Sequence, residues 1–247
     1  MNIGMFQAAA AMNANSKWQD AIASNLAAGS VPGFKKNETS FEAVQAGMMS
    51  GGGAGASGSY MLPRSSMGVN WSNGEFRHTG VNTDVAIDGP GFFEVQLQDG
   101  SMAYTRDGEF GLNSRGQLIT KDGSLVMGEG GPFQVDLNLG APISISAIGE
   151  VSQGNETMGK MKVVGFNDPQ LLQRSGSYFF AGSPGLVAVP VDDIRLRPES
   201  IEGSNTQPMA EMTNLITSMR MFETNSKLLK MQDERLGKVI QDMSTGS

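Results

Sequence analysis

The side chains that could carry chemistry are few and poorly grouped. His78 is the only histidine and there are no cysteines. Neither a His-based triad nor a multi-histidine metal site is therefore available, and disulfides, zinc–thiolate sites and cysteine nucleophiles are excluded. His78 lies between Arg77 and Thr79 and reads as a surface residue. Glu129 with Glu150 or Asp136 would be the material of a hydrolase pair, but spacing along a sequence does not place two carboxylates at a working separation. The recurring Asp-Gly pairs invite a calcium reading. An EF-hand loop needs acidic or amide residues at alternate positions and a closing Glu, and none of these turns supplies them. Gly128-Glu129-Gly130-Gly131-Pro132 is glycine-rich, yet no Lys-Ser/Thr follows to make a phosphate cradle. Asn37-Glu38-Thr39 and Asn155-Glu156-Thr157 fit a glycosylation sequon, a short pattern that recurs by chance. The residues call for no catalytic, metal or cofactor site, and the chain reads as a non-enzyme.

The bulk composition agrees. The formal net charge of −7 argues against a nucleic-acid groove, which needs clustered Lys and Arg. No stretch approaches the ~18 apolar residues of a membrane span, and Met1 to Ala11 lacks the cationic start and apolar run of a cleavable signal. The 33 glycines among 247 residues are about twice ordinary usage and point to many turns rather than a helical bundle.

The elements that any functional residues must ride on fall into four stretches. Asn2 to about Ala28 has no proline and is rich in alanine, a good helix former. Met5, Ala8, Met12, Ile22 and Leu26 mark an apolar stripe interrupted by Asn15 and Gln19, and Gly29 to Gly33 with Pro32 terminates the helix. Gly47 to Gly58 is a Gly/Ala/Ser tract that reads as a flexible linker or loop. From Val69 to Ile201, Asn73-Gly74, Asp88-Gly89, Asp99-Gly100, Asp107-Gly108 and Asp122-Gly123 predict tight hairpin and bulge turns. Phe92–Leu97, Gln117–Thr120, Pro142–Ser146, Met161–Phe166 and Ile194–Leu196 are the strand candidates between and beyond them. After Pro208 a helix is expected over Met209–Met243. Met212, Leu215, Met219, Phe222, Leu229, Leu236 and Ile240 fall on heptad a and d positions, lapsing only at Ser226 and Asp233. Such a seam is often the core face of a domain helix. Here the Met-rich composition and the lack of a neighbouring helix in sequence favour packing between the chain ends or between molecules.

The expected architecture is therefore α+β. N- and C-terminal helices pair into a coiled-coil-like domain around a central antiparallel, barrel-like β domain. The boundaries are 1–34 for the N-terminal helix, 35–68 for an extended Gly-rich linker, 69–201 for the β domain and 202–247 for the C-terminal helix.

Several motifs also carry a resemblance. Ser24-Asn25-Leu26-Ala27, followed by Val31-Pro32-Gly33-Phe34-Lys35, resembles the N-terminal signature of bacterial flagellar rod and hook proteins. Asp84 to Phe93, Tyr104 to Phe110 and Gly116-Gln117-Leu118 look like their shared β domain. Glu202-Gly203-Ser204-Asn205, Pro208, Glu211-Met212-Thr213 and Phe222 to Lys227 resemble its C-terminal closure. Pro32, Gly33, Phe34, Gly203 and Asn205 are the junction residues of these motifs. Length, Gly128–Pro132 and Gln173–Gly176 are more similar to the proximal-rod type, with the distal-rod type second. The resemblance implies a structural subunit of the basal-body rod, exported without a cleavable signal peptide through the flagellar export apparatus to the periplasm. Its partners there would be copies of itself and other rod proteins. The assembly interface would be Met212, Leu215, Met219, Phe222, Leu229 and Leu236, with Met5, Met12, Ile22, Asn25 and Leu26 as the N-terminal counterpart. An enzyme that cleaves peptidoglycan and a β-rich binding module are the competing classes.

Overall fold

A computed structural model describes residues 3–50, 57–182, 186–191 and 194–245. The chain is α+β and divides into two compact units. One comprises Met1–Ala27, Asn37–Asn70 and Gln207–Ser247, the other Ala28–Lys36 and Trp71–Thr206. Among the described residues no helix is long and apolar enough to cross a membrane.

The helical unit holds α1 (Ile3–Ala27), α2 (Pro208–Thr245) and a two-stranded antiparallel sheet of Asn37–Ser50 with Ser57–Val69. Helix α2 starts where proline fits best, in a first turn whose amides have no helical partner. Glu211 in that turn donates its amide to the Gln207 carbonyl at 3.0 Å and brings negative charge to the positive end of the helix. At 1.5 Å per residue its 38 residues make a rod about 57 Å long. The strands occupy most of the stretch that the sequence reads as a Gly-rich linker. They pair from Asn37 opposite Val69 to Ser50 opposite Ser57, with an irregularity between Gln45 and Gly47, and the centre of the glycine tract, 51–56, lies outside the described residues. The Trp18 ring of α1 meets Phe41 edge-on at 5.7 Å, an anchor that composition alone does not reveal.

The β unit is built from antiparallel pairs throughout. Its main sheet runs from Gln173–Ser175 through Tyr178–Phe180, Met102–Thr105, Phe92–Gln96, Leu125–Gly128 and Leu118–Thr120 to Phe110–Leu112. The order has two free ends, so the described strands close no barrel. Val163–Phe166 joins at Phe92–Gln96 and carries Ala188–Pro190, while Ile143–Ile145, Glu150–Gln153 and Glu156–Lys160 form a separate three-stranded sheet. Phe93, Val95, Leu118, Val126 and Met161 are buried at its centre, and Phe93 meets Phe110 edge-on at 5.2 Å.

The Asp-Gly and Asn-Gly pairs do two different jobs. Gly100 and Gly123 take φ of 84° and 81° in hairpin turns whose amides bond back to Leu97 and Thr120 at 2.9 Å. Only glycine adopts that region without strain. Gly74 and Gly108 have no such φ; a Cβ on either would run into the backbone carbonyl of Gly203 or Val85. Those two positions are close approaches of backbone, not turns, which corrects the hairpin expectation there.

Candidate functional site

Helices α1 and α2 pack on each other with an unusual choice of buried side chains. On α1 the buried face is Ala8, Ala14, Asn15, Ala21, Ile22 and Asn25; on α2 it includes Glu211 and Ser218. Small residues let the two backbones approach closely. Asn15, which the sequence pattern counts as a break in the stripe, is the contact itself: its Nδ2 donates to the Ser218 carbonyl at 2.7 Å. Asn25 plays a similar part at the end of α1. Its Nδ2 donates to the Asn37 carbonyl at 2.9 Å and its Oδ1 accepts the Asn37 amide at 2.7 Å, so one side chain mimics a β-bridge and fixes the start of the first strand.

The large apolar residues of α2 lie elsewhere. Met209, Met212, Ile216 and Met219, spaced by three or four residues, form a stripe along one side of the helix and are all more than half exposed. Phe222 and Leu236 are also exposed, and Leu215 and Leu229 are half-buried. Met5, Met12 and Leu26 of α1 are half-buried, and Ile22 is buried. The structure thus divides the heptad residues between an inner side and an outer one. Of the two lapses, Ser226, like Leu229, belongs to the half-buried side, whereas Asp233 is exposed. Ile240 has no described side chain.

The junction residues gather inside the β unit. Pro32 and Gly33 are the central pair of a turn whose Phe34 amide bonds to the Val31 carbonyl at 3.3 Å. Gly33 has φ of 68°, its amide bonds to the Glu202 carbonyl at 2.7 Å, and a Cβ there would strike the Arg106 backbone. The Arg174 guanidinium lies 4.4 Å from the centre of the Phe34 ring and donates to the Lys35 carbonyl at 2.5 Å. Burial lowers the Arg174 pKa to about 10. Gly203 bonds to the Glu75 carbonyl at 2.8 Å. Asn205 accepts the Lys36 amide at 2.7 Å and donates to the Ser72 carbonyl at 3.0 Å. Three segments far apart in sequence, 33–36, 72–75 and 202–205, are thereby clamped together.

At the centre of the clamp sits an ion cluster. Lys35 and Glu202 are fully buried; Lys35 Nζ donates to Glu202 Oε1 at 2.5 Å and to the Ser72 carbonyl at 2.9 Å. Arg106 Nη1 reaches Glu202 Oε2 at 3.5 Å, and the Gly74 amide donates to Glu202 Oε1 at 2.9 Å. Burial pushes the Lys35 and Arg106 pKa values down, against the pull of Glu202. Each of the three charges stands in a motif already noted, but with separations of 96 and 167 residues no local pattern pairs them. Next to Arg106, burial raises the Asp107 carboxyl to about 6, while its Oδ1 accepts the Glu109 amide at 3.0 Å. His78 is exposed and faces Glu199 at 3.9 Å. Lys35 and Arg106 both pair with Glu202, and Lys35 also bonds to the backbone, an arrangement suited to holding chain segments in place.

Known protein families match both the β unit and the C-terminal helix in sequence. A family model described as the flagellar hook protein FlgE/F/G D1 domain matches residues 86–153, and one described as flagellar basal body rod FlgEFG protein C-terminal matches residues 197–242. The class is that of flagellar rod and hook subunits. The chain is 32% identical over 228 residues to the flagellar basal-body rod protein FlgF of Caulobacter vibrioides, spanning 89% of this chain and 92% of that one. It is 31% identical to FlgG of Buchnera aphidicola subsp. Schizaphis graminum over 89% and 92% of the two chains, and 31% identical to FlgF of Salmonella typhimurium over 99% of each. The chain belongs to the flagellar basal-body rod protein family. It is a structural subunit of the flagellar basal body and not an enzyme.

Proposed function

We propose that this subunit builds the proximal rod and polymerises through α1 and α2, with the Met209, Met212, Ile216 and Met219 stripe as its main lateral contact. The observation that carries the reading is that stripe: four large apolar side chains, each more than half exposed, on a helix whose opposite side is already packed. Burying such a half-exposed side chain stabilises a contact by about 1 kcal/mol, so the stripe contributes a few kcal/mol at each copy of the interface. Methionine suits it, because its flexible thioether fits against neighbours that are not identical. The half-buried Leu215 and Leu229 complete a coiled-coil-like pairing of the helices, with Met5, Met12, Ile22, Asn25 and Leu26 on the α1 side. Repeated head-to-tail contacts that do not close generate a helical filament, and a bundle of long helices along the axis resists torsion. In this reading the subunit passes the flagellar export apparatus, and its helical ends gain full order when they dock at the growing tip in the periplasm.

Replacing Met212, Ile216 and Met219 together by Asp is expected to leave the helical content of the purified chain intact and to abolish motility and rod growth. Normal basal bodies from that variant would refute the proposal. The basal body of a deletion strain stops growing at the position the subunit occupies; arrest before any rod forms fits the proximal position, and arrest after a proximal rod has formed fits the distal one.

A further inference from the structure

The β unit contains a cavity of about 660 Å³ lined by Trp71, Phe92, Arg106, Gly165, Phe166 and Val191 among others. Its walls are aromatic and aliphatic, but two hydrogen-bond donors belong to its lining. Trp71 Nε1 and Arg106 Nε are both buried and have no hydrogen-bond partner. Both side chains neighbour one ring: the Trp71 ring lies 5.2 Å from the Phe92 ring, and the Arg106 guanidinium carbon lies 5.2 Å from the centre of that same ring. Arg106 is only 3% exposed, so leaving one of its N–H groups without an acceptor is costly. The charge count points the same way. Lys35 and Arg106 share the single carboxylate of Glu202, which leaves the buried cluster one positive charge in excess.

We propose that this cavity binds an apolar carboxylate. The acid accepts hydrogen bonds from Arg106 Nε and Trp71 Nε1 and balances the excess charge, while its aryl or branched alkyl body lies against Phe92, Phe166 and Val191. The volume falls within the usual range for small-ligand sites. The same chemistry comes from a free acid or from an Asp or Glu beside a bulky residue in a peptide.

The full-length chain has two tryptophans, Trp18 and Trp71, so their indole N–H signals can be resolved by NMR, with Trp18 as the internal control. Titration with 3-phenylpropionate is expected to move the Trp71 indole proton downfield and leave Trp18 in place, with 3-phenylpropanol binding at least about tenfold more weakly for want of the charged acceptor. A parallel titration with N-acetyl-Phe-Asp-amide separates the sources: tighter binding than the free acid marks a peptide ligand, weaker binding a small molecule. Gly165→Val fills the cavity from a strand position where a Cβ meets Val191 and Val189 only at ordinary distances. It leaves Arg106 untouched and is expected to abolish the shift with the melting temperature kept. A Trp71 signal unmoved at millimolar acid, equal binding of the alcohol, or an undiminished shift in Gly165→Val would each overturn the proposal.

Discussion

The β unit and the helical unit solve opposite packing problems. In the β unit large apolar residues such as Phe93, Met161 and Val126 are buried, and the few buried charges are held in ion pairs or hydrogen bonds, as in the clamp and at Glu94 with Lys162. In the helical unit alanine, asparagine and serine line much of the buried face beside Ile22, and Met209, Met212, Ile216 and Met219 of α2 face outward. A core of the first kind is complete in one chain. A surface of the second kind fits the proposed assembly interface, since contiguous exposed apolar stripes mark association sites. Under that proposal one polypeptide keeps a stable folded body while reserving another part for assembly.

Substitutions in the two regions should therefore separate folding from assembly. The largest effect is expected at Glu202. Glu202→Gln leaves Lys35 and Arg106 buried without a countercharge and should cost about 3–5 kcal/mol in denaturant unfolding. Lys35→Met, which leaves Arg106 and Glu202 as a balanced pair, should cost less than half as much; equal costs would show that charge balance is not what the clamp provides.

Asp107 comes next. Its carboxyl is raised from 3.8 to about 6 by burial, so folding favours its protonated form. That contribution is fully present below about pH 4 and is lost as pH rises through 6, by at most about 3 kcal/mol. Stability measured from pH 4 to 7 should fall in the parent chain and flatten in Asp107→Asn. Asn15→Ala should cost about 1 kcal/mol by removing the bond to Ser218, read as a lower melting temperature of the helical unit. The smallest effect on the free chain is expected at the stripe. Met212→Ser should change unfolding by less than about 0.5 kcal/mol yet impair rod assembly, and a large loss of stability would place Met212 in an internal core instead.

Much of this organisation was legible in the sequence because periodicity and glycine placement are local signals. Helix α1 begins within a residue of the expected start and ends within a residue of the expected stop, and Pro208 opens α2 as its proline predicts. Strands appear at Phe92–Gln96, Leu118–Thr120 and Ile143–Ile145, within their expected stretches. What stayed hidden depends on tertiary proximity. A heptad count cannot tell which side of a helix is already covered, so it merged the half-buried Leu215 and Leu229 with the exposed Met212 and Met219. The N-terminal stripe likewise counted Asn15 as a break for its polarity, although that polarity makes the helix–helix bond. The pairing of Lys35 with Glu202 spans 167 residues and leaves no trace in either neighbourhood. The glycine tract pointed to a linker because glycine is scored by flexibility, whereas residues on both sides of it run as paired strands.

In the proposed assembly the outer stripe of α2 is free in the single subunit and covered in the rod. Methionine oxidation reads this directly, since a thioether is converted to the sulfoxide in proportion to its exposure. Met212 and Met219 are each 51% exposed in the free chain, whereas Met161 is fully buried. Mild peroxide followed by peptide mass analysis should oxidise Met212 and Met219 readily in purified subunits and leave Met161 intact. In isolated basal bodies Met212 and Met219 should be protected to the level of Met161. Equal oxidation of Met212 and Met219 in subunits and basal bodies would contradict the claim.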